Sequence, residues 1–389
     1  MTRPANTPKI LIVTRNLPPL TGGMERLNQH ICEELSHDFD VQICGPRGGD
    51  QYLPPGIGYV GSPAMPLGKF LLHNTWQAAR RAQAFKPQII YAGSGLAVPT
   101  ARLAGRIAGA KVLAYLHGLD IIADHPLYRA FFLPNIRSCD AYLVNSQNTK
   151  HLAQSRGVPG DRVTVLHPGV KLPSFANSES KALAFRKHIG AGKRPILLSV
   201  GRLSPRKGIV EFIQHCMPII ANQIPDILYV IIGEEPNQSA LTNNAGIAEK
   251  IHAITAHLEL TGHVHLLGHV DDEELDCAYF ASQVHVFPVL QQHNDVEGFG
   301  MVAMEAAAHG LPTIGFAVGG VPDAVAEGIS GRLIEPNHYD ILAERVIHQL
   351  QGNETTIAPN QCIEFSSKFS WVHFGVALRE FFHKQISAS

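Results

Sequence analysis

EGFGMVAMEAAAHGLPTIGFAVGGVPD, residues 297–323, holds two carboxylates, Glu297 and Glu305, eight positions apart. Gly298 and Gly300 flank the first, and without a Cβ they let the backbone turn sharply and come close to a ligand. Met301 to Ala308 has the Ala, Met and Glu content of a helix, and His309-Gly310 with Pro312 ends it. A strand-like TIGF and a second glycine pair, Gly319-Gly320, follow. A helix starting near Gly300 turns unpaired N–H groups and positive dipole toward what precedes it, which suits phosphate or sugar oxygens. Glu297 then lies in the loop at that terminus and Glu305 about a turn inside.

Two carboxylates also serve glycosidases. A retaining hydrolase holds its pair roughly 5–5.5 Å apart across one bond. Eight positions on one helix separate side chains by about 12 Å along the axis and about 80° in azimuth. Nothing places Glu297 opposite Glu305 across a scissile bond, and two solvated glutamates beside a helix start is the bland reading.

The segment does not stand alone. PILLSVGRLSPRKGIVEFI, Pro195 to Ile213, reads as a buried strand, a tight loop and a helix. It sets Arg202 and Lys207 five residues apart around the Pro205 turn, with helix entry at Gly208. Arg suits bidentate phosphate recognition and Lys acts as a point charge, so the two can hold a diphosphate.

The whole chain alternates in the same way. Strand-like runs fall at Ile10–Val13, Val41–Cys44, Ile89–Ala92, Val112–Leu116, Tyr142–Asn145 and Val163–Leu166, then at Ile196–Val200, Leu228–Ile232, Val264–Leu267, Val284–Phe287 and Thr313–Phe316. Helical patterns separate them, such as Met24, Leu27, Ile31 and Leu35, or Ile247, Ile251, Ile254 and Leu258. This predicts two α/β domains with parallel sheets covered on both faces and ligands at the strands' carboxyl ends. Residues 172–194, Ser/Lys-rich with a proline, suit a linker followed by a short helix.

The 389 residues are 45% hydrophobic and 17% charged, as in a globular chain of two domains. No apolar run reaches the ~18–20 residues of a membrane span, and MTRPANTPK lacks a signal-peptide core. Six scattered cysteines without a C-x-x-C pair fit reduced thiols in a cytosolic protein. The 21 histidines are scattered too, and there is no H-E-x-x-H, Walker A or G-x-S-x-G motif. Residues 1–170 carry 17 Lys/Arg against 10 Asp/Glu, formally +7, which leaves −8 for the remainder of a chain whose total is −1. A basic first half points to an anionic partner, with Arg80, Arg81, Lys86, Arg102 and Arg106 as candidates. Lys69–Phe85 is predicted as an amphipathic helix with Phe70, Leu71, Leu72 and Trp76 on or near one side. A core-facing role is the base-rate reading, with the membrane surface as the alternative.

Glu297 and Glu305 resemble the E-x7-E signature of retaining GT-B glycosyltransferases, in particular glycosyltransferase family 4. Gly201-Arg202-Leu203 with Lys207-Gly208 resembles that family's G-R-L-x-x-x-K-G donor-phosphate site. The resemblance implies two Rossmann-like domains facing across a cleft: an acceptor domain at 1–171, a linker at 172–194, and a nucleotide-sugar domain at 195–368. It also implies a closing helix at 369–389 that packs on the N-terminal domain. The roles it implies are catalytic for His117 and Glu297, and diphosphate binding for Gly23, Arg202 and Lys207. Gly298, Phe299, Gly300, Met301 and Glu305 would hold the donor sugar and nucleotide. Gly23 ends the loop Pro18–Gly23, in itself an ordinary strand-to-helix turn. His117 follows a strand's carboxyl end, where a histidine is otherwise most often structural. Asn145-Ser146, Thr149-Lys150 and Leu166 to Val170 match further family segments. There the chain departs, with Pro168-Gly169-Val170-Lys171 against the common Asn-Gly-Val-Asp.

Asp38-Phe39-Asp40 is formally a D-x-D metal motif but falls at a strand's amino end and reads as a polar turn. Gly93-x-Gly95 lacks the rest of a G-x-G-x-x-G and reads as a tight turn. The resemblance implies no cofactor and no metal, with Arg202 and Lys207 stabilising the leaving diphosphate. The loop Gln291–Val296 with its D-V-E-G-x-G ending resembles phosphatidylinositol mannosyltransferases and envelope-polysaccharide transferases. That leans toward a GDP-mannose-type donor, with a UDP-sugar as the alternative, and toward a lipid-linked or glycan acceptor. No nucleic-acid partner is expected. The expected location is cytoplasmic, peripheral on the inner face of the membrane. A catalytically silent nucleotide-sugar-binding or assembly protein is the alternative, and an α/β oxidoreductase is disfavoured by the missing dinucleotide fingerprint.

Overall fold

The computed structural model describes residues 7–126, 128–235, 246–292, 295–352 and 356–387. Residues 1–6, His293 and Asn294 of the loop before Glu297, and 388–389 of the closing segment lie outside the described residues. The chain divides into two compact units, residues 1–169 with 371–389 and residues 170–370.

The first unit holds a seven-stranded parallel sheet. Its strands are β1 (Lys9–Val13), β2 (Asp40–Pro46), β3 (Gly58–Ser62), β4 (Ile89–Ala92), β5 (Lys111–Leu116), β6 (Ala141–Val144) and β7 (Val163–Val165), in the order β3-β2-β1-β4-β5-β6-β7. β1, β4, β5 and β6 are almost wholly buried, because helices cover both sheet faces. The helix Gly23–Asp38 packs beside the C-terminal helix Trp371–Ser387, whose Phe374, Leu378 and Phe382 enter the core against Ile31, Phe39 and Tyr91. Arg379 of that helix binds Glu34 and His383 binds Asp38 at 3.0 Å. The D-x-D aspartate Asp38 is thus engaged by the last helix.

The second unit holds a six-stranded parallel sheet. Its strands are β8 (Ile196–Val200), β9 (Leu228–Ile232), β10 (Val264–Gly268), β11 (Val284–Phe287), β12 (Thr313–Phe316) and β13 (Gly331–Ile334), in the order β10-β9-β8-β11-β12-β13. Residues 172–194 contain the helix Ser178–His188, which packs on the helix Asp272–Ala281 of this unit.

In each sheet the strand order reverses once, between β1 and β4 and between β8 and β11. The loops at the carboxyl ends of those strands therefore diverge and leave a crevice, where such folds bind ligands.

One expectation is corrected. In the helix Leu67–Phe85, Phe70 points inward with Asn74, Ala78, Ala82 and Phe85. Leu72, two positions on and so about 200° round the helix, is 78% exposed, and Trp76 is 53% exposed. The large apolar side chains thus occupy opposite faces.

Candidate functional site

In the second unit the switch point joins two loops. After β8 the chain runs through Gly201 and Arg202 into the turn Pro205–Lys207; after β11 it runs through Pro288 to Glu297. The Leu290 N–H donates to the Arg206 carbonyl at 2.8 Å, locking one loop to the other. Gly208, at φ 67°, packs so tightly that a Cβ would lie 2.0 Å from the Pro288 carbonyl oxygen. That closeness carries Lys207 to Glu297, although 90 residues separate them: Lys207 Nζ donates to Glu297 Oε2 at 2.9 Å.

Arg206 binds the same Oε2 through Nη1, and its Nε donates to Asp295 Oδ1 at 2.9 Å. Lys207 Nζ also lies 4.8 Å above the Phe287 ring. All four charged groups are largely buried. Burial pushes the Glu297 carboxyl up, but the charges and hydrogen bonds of Lys207 and Arg206 outweigh it and hold the group at about 2. For Lys207 burial wins, and its pKa is lowered despite Glu297. Arg206 is pulled down by burial but raised on balance by Glu297 and Asp295. Arg202 stands exposed on the same loop, close enough for its charge to act on Lys207. Asp295 and Arg206 were missed in the sequence, where the only signal was a second cation beside Lys207.

Gly300, at φ 102°, starts the helix Met301–Ala308. Gly319, at φ 59°, and Gly320 admit the backbone of this loop: the Gly320 N–H donates to the Glu297 carbonyl at 2.8 Å, and a Cβ on Gly320 would lie 2.1 Å from the Gly298 carbonyl oxygen. Phe299 is core, so only its backbone faces the loop's surroundings; Met301 is half-buried. Glu305 belongs to a different network from Glu297. Tyr279 Oη donates to Glu305 Oε2 at 3.1 Å, and His309, stacked on Tyr279, bonds the Glu305 carbonyl at 2.7 Å.

In the first unit, His117 follows β5 and is buried. Its Nε2–H donates to the Gly93 carbonyl at 2.9 Å, because a carbonyl only accepts; this makes Nδ1 the ring's acceptor position. Asp120 accepts from the His117, Gly118 and Gly95 N–H groups at 2.9, 3.0 and 2.8 Å and shapes the turn. Asn28, on the helix that Gly23 begins, donates to the same Gly93 carbonyl at 3.1 Å. Gly93 must be glycine, since a Cβ would lie 2.4 Å from Asn28 Oδ1 and 2.5 Å from Thr14 Oγ1. Buried Asn28 Oδ1, Ser94 Oγ and Asn145 Oδ1 have no partner among the described residues. Buried polar atoms are normally paired, so this group at the carboxyl ends of β4 and β6 suits a hydroxyl-rich ligand.

Two family models match the chain, one described as Glycosyltransferase Family 4 over residues 21–172 and one as Glycosyl transferases group 1 over residues 180–368. The chain is 26% identical over 353 residues to a GDP-mannose-dependent alpha-(1-6)-phosphatidylinositol monomannoside mannosyltransferase of Mycolicibacterium smegmatis, spanning 87% of this chain and 88% of that protein. It is 27% identical over 244 residues to a D-inositol 3-phosphate glycosyltransferase of Mycolicibacterium vanbaalenii, spanning 61% of this chain and 51% of that protein. Among solved structures, Anabaena HepE in complex with UDP shares the fold at a TM-score of 0.79 and 18% identity, with 97% of this chain and 100% of that chain covered. Two doubly wound sheets of this order, with two family models spanning most of the sequence, place the chain in glycosyltransferase family 4, as a hexosyltransferase of GT-B fold.

Proposed function

We propose that this hexosyltransferase moves a hexosyl group from a nucleotide sugar to a lipid-linked or polysaccharide acceptor, with retention of configuration, in bacterial envelope glycan (lipopolysaccharide or exopolysaccharide) assembly. GDP-mannose is the favoured donor, on the strength of the mannosyltransferase relative, and a UDP-sugar is the alternative. The observation that carries the reading is Lys207 beside Glu297 at the β8/β11 switch point, with Arg202 exposed on the same loop.

Lys207 and Arg202 hold the diphosphate and stabilise its charge as the bond to the anomeric carbon breaks and the leaving oxygen takes the electron pair. The acceptor hydroxyl oxygen forms the new bond on the same face, and its proton passes to the leaving phosphate. Gly23 lets backbone approach the phosphate or acceptor. Glu297 and the backbone of Gly298–Met301 bind sugar hydroxyls, Glu305 binds the ribose, and His117 accepts from the transferred sugar through Nδ1. No metal is required, because two cations already face the leaving group.

Membrane attachment belongs to the same reading. Lys69, Leu72, Trp76 and Arg80 form one exposed stripe of the helix Leu67–Phe85, and Arg80 lies 4.8 Å from the Trp76 ring. No described helix is long and apolar enough to cross a membrane. A mixed cationic and apolar stripe suits the anionic inner leaflet.

The test is transfer from GDP-mannose and from UDP-glucose, with and without EDTA, to lipid extracts, with NMR of the product's anomeric configuration. Lys207→Ala is expected to lower kcat/KM by about 10²–10³-fold. Nucleotide-sugar binding without turnover would favour the silent, assembly-protein alternative. Sedimentation with anionic vesicles, lost in Trp76→Ala, tests attachment.

A further inference from the structure

Arg206 stands one residue before the lysine that faces the donor, yet its own bonds differ in kind. Its guanidinium has two edges in use, Nε on Asp295 and Nη1 on Glu297. These carboxylates are two positions apart in the loop before the helix Met301–Ala308, and a single planar fork spans them. Among the described residues, Lys207 holds only Glu297, through one rotatable ammonium. Both cations bind Oε2 of Glu297 rather than Oε1.

For a cation of this neutral cluster of two cations and two carboxylates to join Arg202 on a donor diphosphate, it must leave its carboxylate partners. Lys207 gives up one bond; Arg206 would give up two and release the loop. If both left, Glu297 would be a buried carboxylate without a counter-ion, and burial would protonate it. A protonated Glu297 is a donor where a sugar hydroxyl needs an acceptor.

We propose that Arg206 is a positioning residue for the transfer reaction: it staples Asp295 and Glu297 to the turn after β8 and remains the counter-ion of Glu297 when Lys207 turns to the donor diphosphate. This rests on the assignment of Lys207 and Glu297 to donor binding above. Among the described residues, the charged groups around Glu297 are Arg206 and Lys207, with Arg202 on the same turn, Asp295 on its own loop, and His285 on β11 facing Lys207. Burial and the Lys207 charge hold His285 at about 3, so its titration does not enter the neutral range.

The experiment uses the full-length protein, wild type and Arg206→Gln, Arg206→Lys, Asp295→Asn and Lys207→Ala. Transfer is followed from about pH 3 to 9, and GDP and UDP binding by calorimetry. Arg206→Gln is expected to lower kcat about 10–100-fold with the donor KM within about threefold, since an interaction needed for reaction rather than binding is lost. Its acid limb in kcat/KM moves up by about one pH unit or more as Glu297 loses a counter-ion. Arg206→Lys does not rescue, because one ammonium cannot span two carboxylates. Diphosphate affinity falls at least about tenfold in Lys207→Ala and stays within about threefold in Arg206→Gln. An unmoved acid limb, or a loss of diphosphate affinity in Arg206→Gln equal to that in Lys207→Ala, overturns the proposal. If Arg206→Gln does not fold, Asp295→Asn decides: a fall in kcat with diphosphate affinity held within about threefold supports the staple, and a wild-type kcat overturns it. If wild type and Lys207→Ala turn over donor equally, the donor-site assignment itself fails, whatever Arg206 does.

Discussion

Burial alone would protonate Glu297; two adjacent cations keep it ionised. Its folded pKa of about 2 lies below the ordinary carboxyl value of 4.5. A group depressed on folding contributes stability above its unfolded pKa and loses it as pH falls through the folded one. The contribution is therefore present at neutral pH and drains between about pH 5 and 2. Glu297→Gln should flatten that part of the stability-against-pH curve, measured by urea unfolding. At neutral pH it should cost on the order of 3 kcal/mol, because Lys207 and Arg206 are left partly uncompensated. Transfer should fall to background in the same variant. Retained acid sensitivity in Glu297→Gln would move the effect to another carboxylate.

At the scale of elements, what matters is how closely two loops can lie. Gly208 has φ 67° and no room for a Cβ, with the Pro288 carbonyl oxygen 2.0 Å away. Gly208→Ala combines a left-handed backbone with a collision against backbone, so it should cost about 2–4 kcal/mol. The expected readout is a lower Tm together with a loss of transfer larger than the loss of stability explains, since Lys207 precedes the displaced residue. Wild-type transfer in Gly208→Ala would show that the register of the two loops does not matter. The edge strands β3 and β13 escaped the sequence reading for a related reason. Gly58-Tyr-Val-Gly-Ser and Gly331-Arg-Leu-Ile are half-buried and glycine-bearing, without the continuous apolar run of strands covered on both faces. Inner strands such as Ile89–Ala92 and Thr313–Phe316 fall where their apolar runs predict them.

At the scale of the whole molecule, the first unit is not continuous in sequence. Trp371–Ser387 contributes Phe374, Leu378 and Phe382 to a core otherwise built from residues before 170. Each buried side chain of this size contributes about 1.5–3 kcal/mol, so their joint loss rivals a domain's net stability. Removal of residues 371–389 should therefore unfold or aggregate the first unit while the second, with its own sheet and core, still melts cooperatively. Differential scanning calorimetry should show one transition retained. A truncated chain with both units intact would make the last helix an accessory.

Helix and strand periods, glycine positions and the two motifs with Lys207 and Glu297 were legible in the amino-acid order, because burial on both sheet faces and tight turns leave local marks. The closing helix was anticipated only by family resemblance, since its own residues carry no sign of which unit they join. Arg206 looked like any turn cation, and Asp295 like a loop acid. Leu72 and Trp76 looked like companions of Phe70. Which cation keeps its carboxylates, and which face of a helix is left bare, depend on chain segments 90 residues or more apart meeting at a sheet's switch point or in its core. Such meetings are set by tertiary packing, and local sequence has no term for them.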